Sequence, residues 1–291
     1  MIIFLYILFS EINYSASEVW VEVYEKGRII NAKGNCTLKG ENFEIKADSA
    51  LLFESENLDS AYLYKNIKVE SRKLNIFSDK VFYNFINSFA IFEKNVKIES
   101  DTYMIKTDKV FYSDLKDSAF ADKKVSIKDK IRNIEIEGFK MVYLINKKKG
   151  KIDSLIGIKI FEKKDTVDIK GKRLLILNKT FLITENVNII SKDFNGFCDT
   201  LLWESDIIKL KGKKPELFAR DSKLEGKNIE VFLENKRLKR ILSKDKSFLK
   251  TVSEKKDTLY LYSDFLDISL DDSLRVEKVS GGKKIEGEIK R

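Results

Sequence analysis

The sequence contains no histidine, one proline, two cysteines and two tryptophans in 291 residues. Without histidine the chain cannot build Ser-His-Asp or Cys-His catalytic sites or histidine metal sites. Two isolated cysteines are too few for a four-cysteine zinc site or an iron–sulfur ligand set. Catalysis by carboxylates or lysines stays open, but no pattern favours it, so we predict a non-catalytic protein without a cofactor or metal.

Charge of both signs is abundant. Charged residues make up 35% of the chain, and 55 Lys plus Arg against 46 Asp plus Glu give a net charge of +9. Twenty Phe and eleven Tyr provide too much apolar surface for a disordered chain. Nucleic-acid binding is the obvious alternative for a basic protein. Because lysines are scattered among acids and do not form one stripe, we predict no nucleic-acid partner.

Long apolar runs are absent, and the longest at the N-terminus, Ile2 to Phe9, is too short to span a membrane. This run fits the apolar part of a secretory signal, and Ser15-Ala16-Ser17 offers small residues for cleavage before Glu18. The alternative is an ordinary first strand. We predict a signal peptide at 1–17 and a mature periplasmic protein over 18–291.

The rest of the chain repeats one pattern. Apolar residues occupy the first, third, eighth and tenth positions of a ten-residue template, with Gly196 and Ser222 as the two exceptions among 32 positions, and a small residue occupies the fifth. The eight copies begin at Phe43, Leu74, Tyr103, Ile134, Val167, Phe194, Ser222 and Leu259. Alternation with period two indicates half-buried strands, and a period of 20–50 residues indicates a solenoid or stacked array. The repetition favours one array over the two domains that length alone suggests.

The step from the fifth to the eighth position is three residues, so all five inward positions share a face only if a bulge or corner absorbs one residue. A small residue suits that corner. The next residue is Asp in five copies: Asp48, Asp79, Asp108, Asp199 and Asp264. We interpret these aspartates as turn residues. The alternative is a column of calcium-binding or catalytic carboxylates, which Lys172 and Lys227 at the same position disfavour.

A second element precedes several copies. Asn35, Asn66, Asn95 and Asn186 each stand eight residues before a template and lead into an apolar-x-apolar pair. Each repeat is therefore predicted to hold two strands. Short polar connectors imply antiparallel neighbours. The prediction is an all-β, solenoid-like array of about eight two-strand repeats, or roughly sixteen strands.

The segments KNIKVESRKLNIFSDKVFYN (65–84), KNVKIESDTYMIKTDKVFYS (94–113) and GNCTLKGENFEIKADSALLF (34–53) resemble the OstA-like family of lipopolysaccharide transport. KGKKPELFARDSKLEGKNIEVFL (211–233) is similar to later repeats of that family. The resemblance covers about 28–280. It places repeats near 34–53, 65–84, 94–113, 124–144, 158–177, 185–204, 210–232 and 250–269.

The resemblance implies a β-jellyroll folded like a taco shell, with an open V-shaped groove that holds the acyl chains of lipid A. It also implies like-folded inner-membrane and outer-membrane partners that join through sheet edges, and head-to-tail self-association. The end elements are expected near Val19–Tyr24 and near Leu274–Val279. The family includes periplasmic bridge proteins, anchored relatives and a domain of the outer-membrane assembly barrel.

The inward template positions are the candidate groove lining. They are Ile45, Leu74, Ile76, Val81, Tyr83, Tyr103, Ile105, Val110, Tyr112, Ile134, Ile136, Met141, Tyr143, Ile169 and Leu174. The competing hypotheses are a secreted structural scaffold or adhesin with a closed core, and an enzyme on an extended β-platform. The width of the interior separates a groove from a closed core.

Two further expectations concern single features. Cys36 and Cys198 fall at inward positions of distant repeats, and we predict buried free thiols because a disulfide needs Cα atoms within about 7 Å. The charged segment 236–256 interrupts the pattern, and we predict an irregular loop or a short helix there.

Overall fold

The computed structural model describes residues 13–39, 43–55, 58–71, 75–113, 115–144, 147, 149–161, 166–178, 180–234, 237–252, 257–271, 273–282 and 285–290. These residues form strands and turns, which confirms the all-β prediction. Within those ranges, no helix is present that is long and apolar enough to cross a membrane.

The strands are as follows: β1 Asn13–Ser15, β2 Glu18–Tyr24, β3 Gly27–Lys39, β4 Phe43–Glu54, β5 Leu58–Ser71, β6 Asn75–Asn84, β7 Phe89–Glu99, β8 Tyr103–Ser113, β9 Ser118–Asp129, β10 Ile134–Leu144, β11 Lys149–Phe161, β12 Thr166–Lys170, β13 Arg173–Leu177, β14 Thr180–Ile190, β15 Asn195–Glu204, β16 Ile207–Lys211, β17 Glu216–Ala219, β18 Ser222–Glu225, β19 Asn228–Glu234, β20 Arg237–Val252, β21 Thr258–Leu270, β22 Val276–Gly281 and β23 Ile285–Lys290.

The pairing is antiparallel between successive neighbours, as the short connectors predicted. The chain divides into two compact units at Ile152 and Asp153. In the first unit, β1 and β2 both pair with β3, and each strand from β3 to β10 pairs with the next. In the second unit, β12 and β13 share the partner β14, and β22 and β23 share the partner β21.

Most long strands are bent in the middle by one recurring irregularity. Between β3 and β4, Lys33 pairs with Ser49 and Cys36 pairs with Ala47, so Gly34 and Asn35 oppose the single residue Asp48. The same two-against-one pattern recurs at four more strand pairs. There Lys65-Asn66, Lys94-Asn95, Glu185-Asn186 and Asp245-Lys246 oppose Asp79, Asp108, Asp199 and Asp264. All five predicted corner aspartates thus lie opposite a bulge.

Both residues of each bulge have a left-handed backbone. The φ angles are 73° and 50° at Gly34 and Asn35, and 63° and 52° at Lys94 and Asn95. Asparagine adopts this conformation at lower cost than most residues. This preference explains why asparagine recurs there.

Side chains connect successive bulges across the sheet. The Asn66 amide donates a hydrogen bond to the Asp48 carboxylate at 2.8 Å, and the Asn95 amide donates one to the Asp79 carboxylate at 2.6 Å. The aspartates therefore bind the asparagine of the following repeat, a partner that the turn interpretation did not identify. These links fasten the corner of one repeat to the corner of the next.

Small residues at the corner are required by close packing. A Cβ atom added to Gly171 would lie 2.5 Å from Cγ2 of Ile183, and one added to Gly226 would lie 2.3 Å from Oγ of Ser243. Separations under 3 Å leave no room for a side chain. The fifth template position is small because the strand folds over the interior there, as predicted.

The bulges divide the sheet of the first unit into two walls. The first wall consists of the parts of β3–β10 that lie between the bulges and the turns at 24–27, 84–89 and 113–118. The second wall consists of the parts of the same strands on the other side of the bulges. The turns at 100–102 and 129–134 close this wall. In both walls, buried and half-buried positions alternate. The buried positions form the inner face and the others form the outer face.

The outer faces of the two walls differ in charge. On the first wall two neighbouring rows carry no charged residue, and we call them the uncharged face. One row is Asn31, Leu51, Tyr62, Phe82, Ile91, Phe111, Phe120 and Val142, and the other is Ile29, Phe53, Ser60, Asn84, Phe89, Ser113, Ser118 and Leu144. On the second wall the matching rows are Thr37, Lys46, Lys68, Phe77, Lys97, Lys106, Ser126 and Glu137, and Lys39, Glu44, Glu70, Asn75, Glu99, Met104, Lys128 and Glu135.

The expected interruption at 236–256 is wrong for the described part of that segment, because 237–252 is the strand β20. Leu238, Ile241 and Leu249 are buried. The left-handed pair Asp245-Lys246 shifts the phase of alternation in the middle of the strand. That shift hides the strand pattern in the sequence.

The N-terminal prediction lies mostly outside the described residues, since 1–12 are not among them. Asn13–Ser15 is a strand that pairs with Thr37–Lys39 of β3. Cleavage after Ser17 would remove this short strand. The signal peptide stays a prediction.

We predict that Asn95→Val destabilises the protein more than Asn95→Gly. Glycine tolerates a φ of 52° and loses only the exposed hydrogen bond to Asp79, which is worth about 1 kcal/mol. A β-branched residue there adds backbone strain of about 1–2 kcal/mol. Urea unfolding gives the free energy of unfolding of both variants. Asn75→Val is the control, because Asn75 lies in an extended strand; equal effects at Gly and Val would contradict the bulge account.

Candidate functional site

The interior of the first unit is lined by apolar side chains from both walls. On the second wall one inner row runs without interruption across eight strands. It consists of Leu38, Ile45, Val69, Ile76, Ile98, Ile105, Ile127 and Ile136. All eight are aliphatic, so this wall presents one continuous hydrocarbon surface to the interior.

The first wall has an inner row in which large and small residues alternate. The row is Ile30, Leu52, Ala61, Tyr83, Ala90, Tyr112, Ala119 and Tyr143. Tyr83 and Tyr112 each stand between two alanines of the neighbouring strands, and Tyr143 at the end of the row stands beside Ala119. The alternation leaves room for the large side chains within a single row.

The predicted lining residues of the first unit that the structure describes face this interior. Ile45, Ile76, Val81, Tyr83, Ile105, Val110, Tyr112, Ile134, Ile136 and Met141 are buried in the first unit. Tyr103 and Tyr143 are half-buried, Ile169 and Leu174 are buried in the second unit, and Leu74 lies outside the described residues. Ile105, with 7% of its surface exposed, is typical. A single folded sheet buries such residues only where its two walls cover each other.

Tyr103 and Tyr143 belong to opposite walls and interact. Burial raises the pKa of Tyr103 to about 12, and the Tyr143 phenol adds a smaller electrostatic contribution in the same direction. Burial also raises the pKa of Tyr143. Both phenols are therefore neutral at physiological pH and add no charge to the interior.

The prediction missed the inner residues of the odd-numbered strands. Val69, Ile98 and Ile127 lie directly beside the predicted Ile76 and Ile105 in the second wall. The signal was present, since each bulge asparagine is followed by an apolar-x-apolar pair. Pairing that motif with the neighbouring template would have added Val69 and Ile98, whereas no asparagine marks Ile127.

Polar groups gather outside this interior. A cleft of about 500 Å³ on the second wall is lined by Lys97, Lys106, Lys124, Asp108 and Glu137, among others. In the part of the chain that the structure describes, no group of three or more Cys, Asp or Glu residues could hold a metal ion. Five of its nine lining residues are charged, so an acyl chain in this cleft would lie beside charged groups.

The strand β2 of the first unit has one edge without a partner strand among the described residues. All seven residues of β2 are exposed, and within the described ranges β2 pairs with β3 alone. Val19, Val21 and Val23 continue the inner-face alternation, and Val23 is 78% exposed. In the second unit, β22 and β23 lie beside β21, and every residue of β23 is exposed.

Both cysteines are free and buried, as predicted. Burial raises the pKa of Cys36 and raises that of Cys198 to about 12. The Cys36 thiol donates to the Asp48 carbonyl oxygen at 3.7 Å. These are corner residues packed in the interior, and they have the protonated, unreactive form of a structural thiol.

We predict that neither thiol reacts with a disulfide reagent such as dithionitrobenzoate at pH 8 in the native protein. Burial raises the pKa of both thiols above the ordinary value, which lowers the thiolate fraction, and burial also blocks access. In denaturant both thiols should react rapidly. Stopped-flow absorbance counts the reactive groups; prompt reaction of one thiol in the native state would show that its repeat opens.

Comparison with known proteins bears on the first unit. The model of the family described as OstA-like protein matches residues 16–134, which confirms the resemblance over that part of the chain. One similar solved structure is LptH from Pseudomonas aeruginosa, the LptA homologous periplasmic component of the lipopolysaccharide transport device. The sequences are 12% identical, and the match covers 35% of this chain and 76% of that chain with a TM-score of 0.32. No curated protein sequence matches.

Proposed function

We propose, from the OstA-like character of residues 16–134, that this chain is a non-catalytic periplasmic protein of lipopolysaccharide transport. It would hold the acyl chains of lipid A between the two walls, while the sugars and phosphates stay in water. The observation that carries this proposal is the lining. Two inner faces run across eight strands and present only apolar side chains in their main rows.

The energetics suit a transient apolar cargo. Each Å² of apolar surface removed from water yields about 25 cal/mol, and the inner rows carry no charge that an acyl chain would have to desolvate. Binding that depends only on buried apolar area does not select one conformation of the acyl chain. A conduit needs this property, because its cargo moves from repeat to repeat.

A closed structural scaffold is the second candidate. The burial of the lining residues favours it, since their own neighbours fill the interior. In the transport proposal, acyl chains replace contacts between the walls. In the scaffold, those contacts are permanent.

We predict that a photo-crosslinking residue at Ile105 captures lipopolysaccharide, whereas the same residue at Lys106 does not. Ile105 faces the interior and Lys106 lies on the outer face of the same strand. Purified protein is incubated with lipopolysaccharide, irradiated and separated by gel, and the adduct is detected by immunoblot. The strand and its pairing are identical at both positions, so the pair is a matched control.

Equal labelling at 105 and 106, or no labelling in a protein whose circular dichroism is native, would reject the conduit. The second outcome would leave the scaffold. A parallel pair at Ile136 and Glu135 repeats the comparison two strands away.

Partners would join through the exposed ends. Unpaired strands accept a further strand by backbone hydrogen bonding, and β2 and β22–β23 would add like-folded transport proteins or another copy head to tail. The alternating valines of β2 would then continue the inner face into the neighbour.

We predict that crosslinkers at Val21 and Val276 capture a neighbouring chain, because both lie on end strands. Mass spectrometry of the crosslinked product should join position 21 of one chain to the C-terminal strands of the next. Glu99, on an internal strand, is the control. Failure of both end positions to crosslink at high protein concentration would contradict edge pairing.

A further inference from the structure

The uncharged face of the first wall is unusual for this chain. Charged residues make up 35% of the sequence, yet none occurs among the sixteen positions of its two rows. The matching rows of the second wall hold eleven charged residues in sixteen positions. In the second unit, the row through Leu175, Leu182 and Leu202 continues into Lys209 and Glu230. A long row without charge is therefore a property of the first wall and not of every outer face.

The face is also accessible and aromatic. Its residues are half-exposed, and Phe120 reaches 37% exposure. The rings of Tyr62 and Phe82 lie 4.5 Å apart, and those of Phe82 and Phe89 lie 5.6 Å apart. The cores of protein interfaces are depleted in charge and enriched in aromatic residues. Rigid, preformed aromatic clusters of this kind lose little side-chain entropy when a partner covers them.

The size of the face agrees with a small specific interface. Eight strands about 4.8 Å apart span about 35 Å, and two rows of side chains cover a width of about 14 Å. Each copy would bury about 500 Å², so two copies would bury about 1,000 Å², close to the lower limit of specific interfaces. Trp20, which pairs with Asn31 at the end of the first row, adds a large exposed ring.

We propose that the uncharged face is the interface of a homodimer, in which the first walls of two chains pack face to face as a two-layer sandwich. Neither row carries a charge that would attract an anionic membrane surface or nucleic acid, and Lys109 of the adjoining row, whose ammonium lies 4.6 Å from the centroid of the Phe111 ring, is paired with Glu93 at 2.7 Å. A second copy offers the same flat, aromatic and uncharged surface, and two such sheets pack about 10 Å apart. The contact is isologous and closes at two chains. It is separate from edge pairing and does not depend on lipid transport.

A same-residue crosslink tests the geometry. Ile91 lies on β7, near the centre of the eight strands, so a two-fold axis through the face brings its two copies together. In an Ile91→Cys variant, a short bismaleimide should link two chains through position 91, because Cys36 and Cys198 are buried. Glu135→Cys, on the outer face of the second wall, should give no such link. Edge pairing joins different positions and would not produce a 91–91 product.

Charged substitutions test the chemistry. Phe82→Lys with Phe111→Lys, added to the Ile91→Cys protein, places four lysines in the sandwich. The yield of the 91–91 product should fall about tenfold or more. Phe77→Lys is the matched control, since Phe77 lies on the same strand as Phe82 but on the second wall. It should leave the yield unchanged, and circular dichroism checks that both proteins fold.

Three outcomes would overturn the proposal. The first is wild-type protein that sediments as a monomer at every concentration tested. The second is a 91–91 yield that the Phe82 and Phe111 substitutions leave unchanged. The third is binding of the monomer to phospholipid vesicles that these substitutions abolish, which would assign the face to a membrane.

Discussion

The structure depends on one backbone constraint, the left-handed two-residue bulge at the middle of the long strands. A flat antiparallel sheet of this length would expose one apolar face to water. At each bulge two residues on one strand oppose one on its neighbour, and the sheet turns a corner. Because the corners of the first unit lie in line across successive strands, its sheet folds along one axis and covers its own apolar face.

The composition of the corner follows from this geometry. Asparagine or glycine takes the left-handed position, and a small residue stands inside the bend. Aspartate on the opposing strand accepts a hydrogen bond from the next asparagine. The copy with Phe139 at the corner departs from the rule. There the left-handed residue is Lys140 on the second strand of the pair, so the bend is built differently.

Because the sheet is folded, its two outer faces can differ in composition and in role. The second wall carries opposite charges in neighbouring rows, with ion pairs such as Lys97 with Glu99 at 2.6 Å and Lys128 with Glu135 at 2.9 Å. Exposed pairs like these contribute little stability each, but they keep that wall hydrated. The uncharged face has no such hydration, and its aromatic rows are the surface with most to gain from a partner.

The sequence predicted the inward positions of β4, β6, β8 and β10 because a fixed spacing of apolar residues marks them. It did not show which residues lie side by side across strands, since register arises from the hairpins and bulges together. For this reason the continuous rows of Val69 and Ile98, and the contrast between the outer faces, became visible only in the structure. The spacing of apolar residues did not predict the strand β20, because its bulge consists of Asp245 and Lys246 and has no asparagine to mark it.

A filled interior and a lipid-holding interior are closer in free energy than they first appear. Apolar burial is non-directional and proportional to area. Parting the walls exposes the aliphatic row from Leu38 to Ile136, and an acyl chain lying between them covers that row again. The exchange conserves most of the buried area, and the main inner rows contain no charged residue whose ion pair would have to break. The corners need not change, because their hydrogen bonds run along the fold axis and not across the interior. In the transport function proposed above, separation of the walls is the movement that would admit an acyl chain, and the covered interior is the state without lipid.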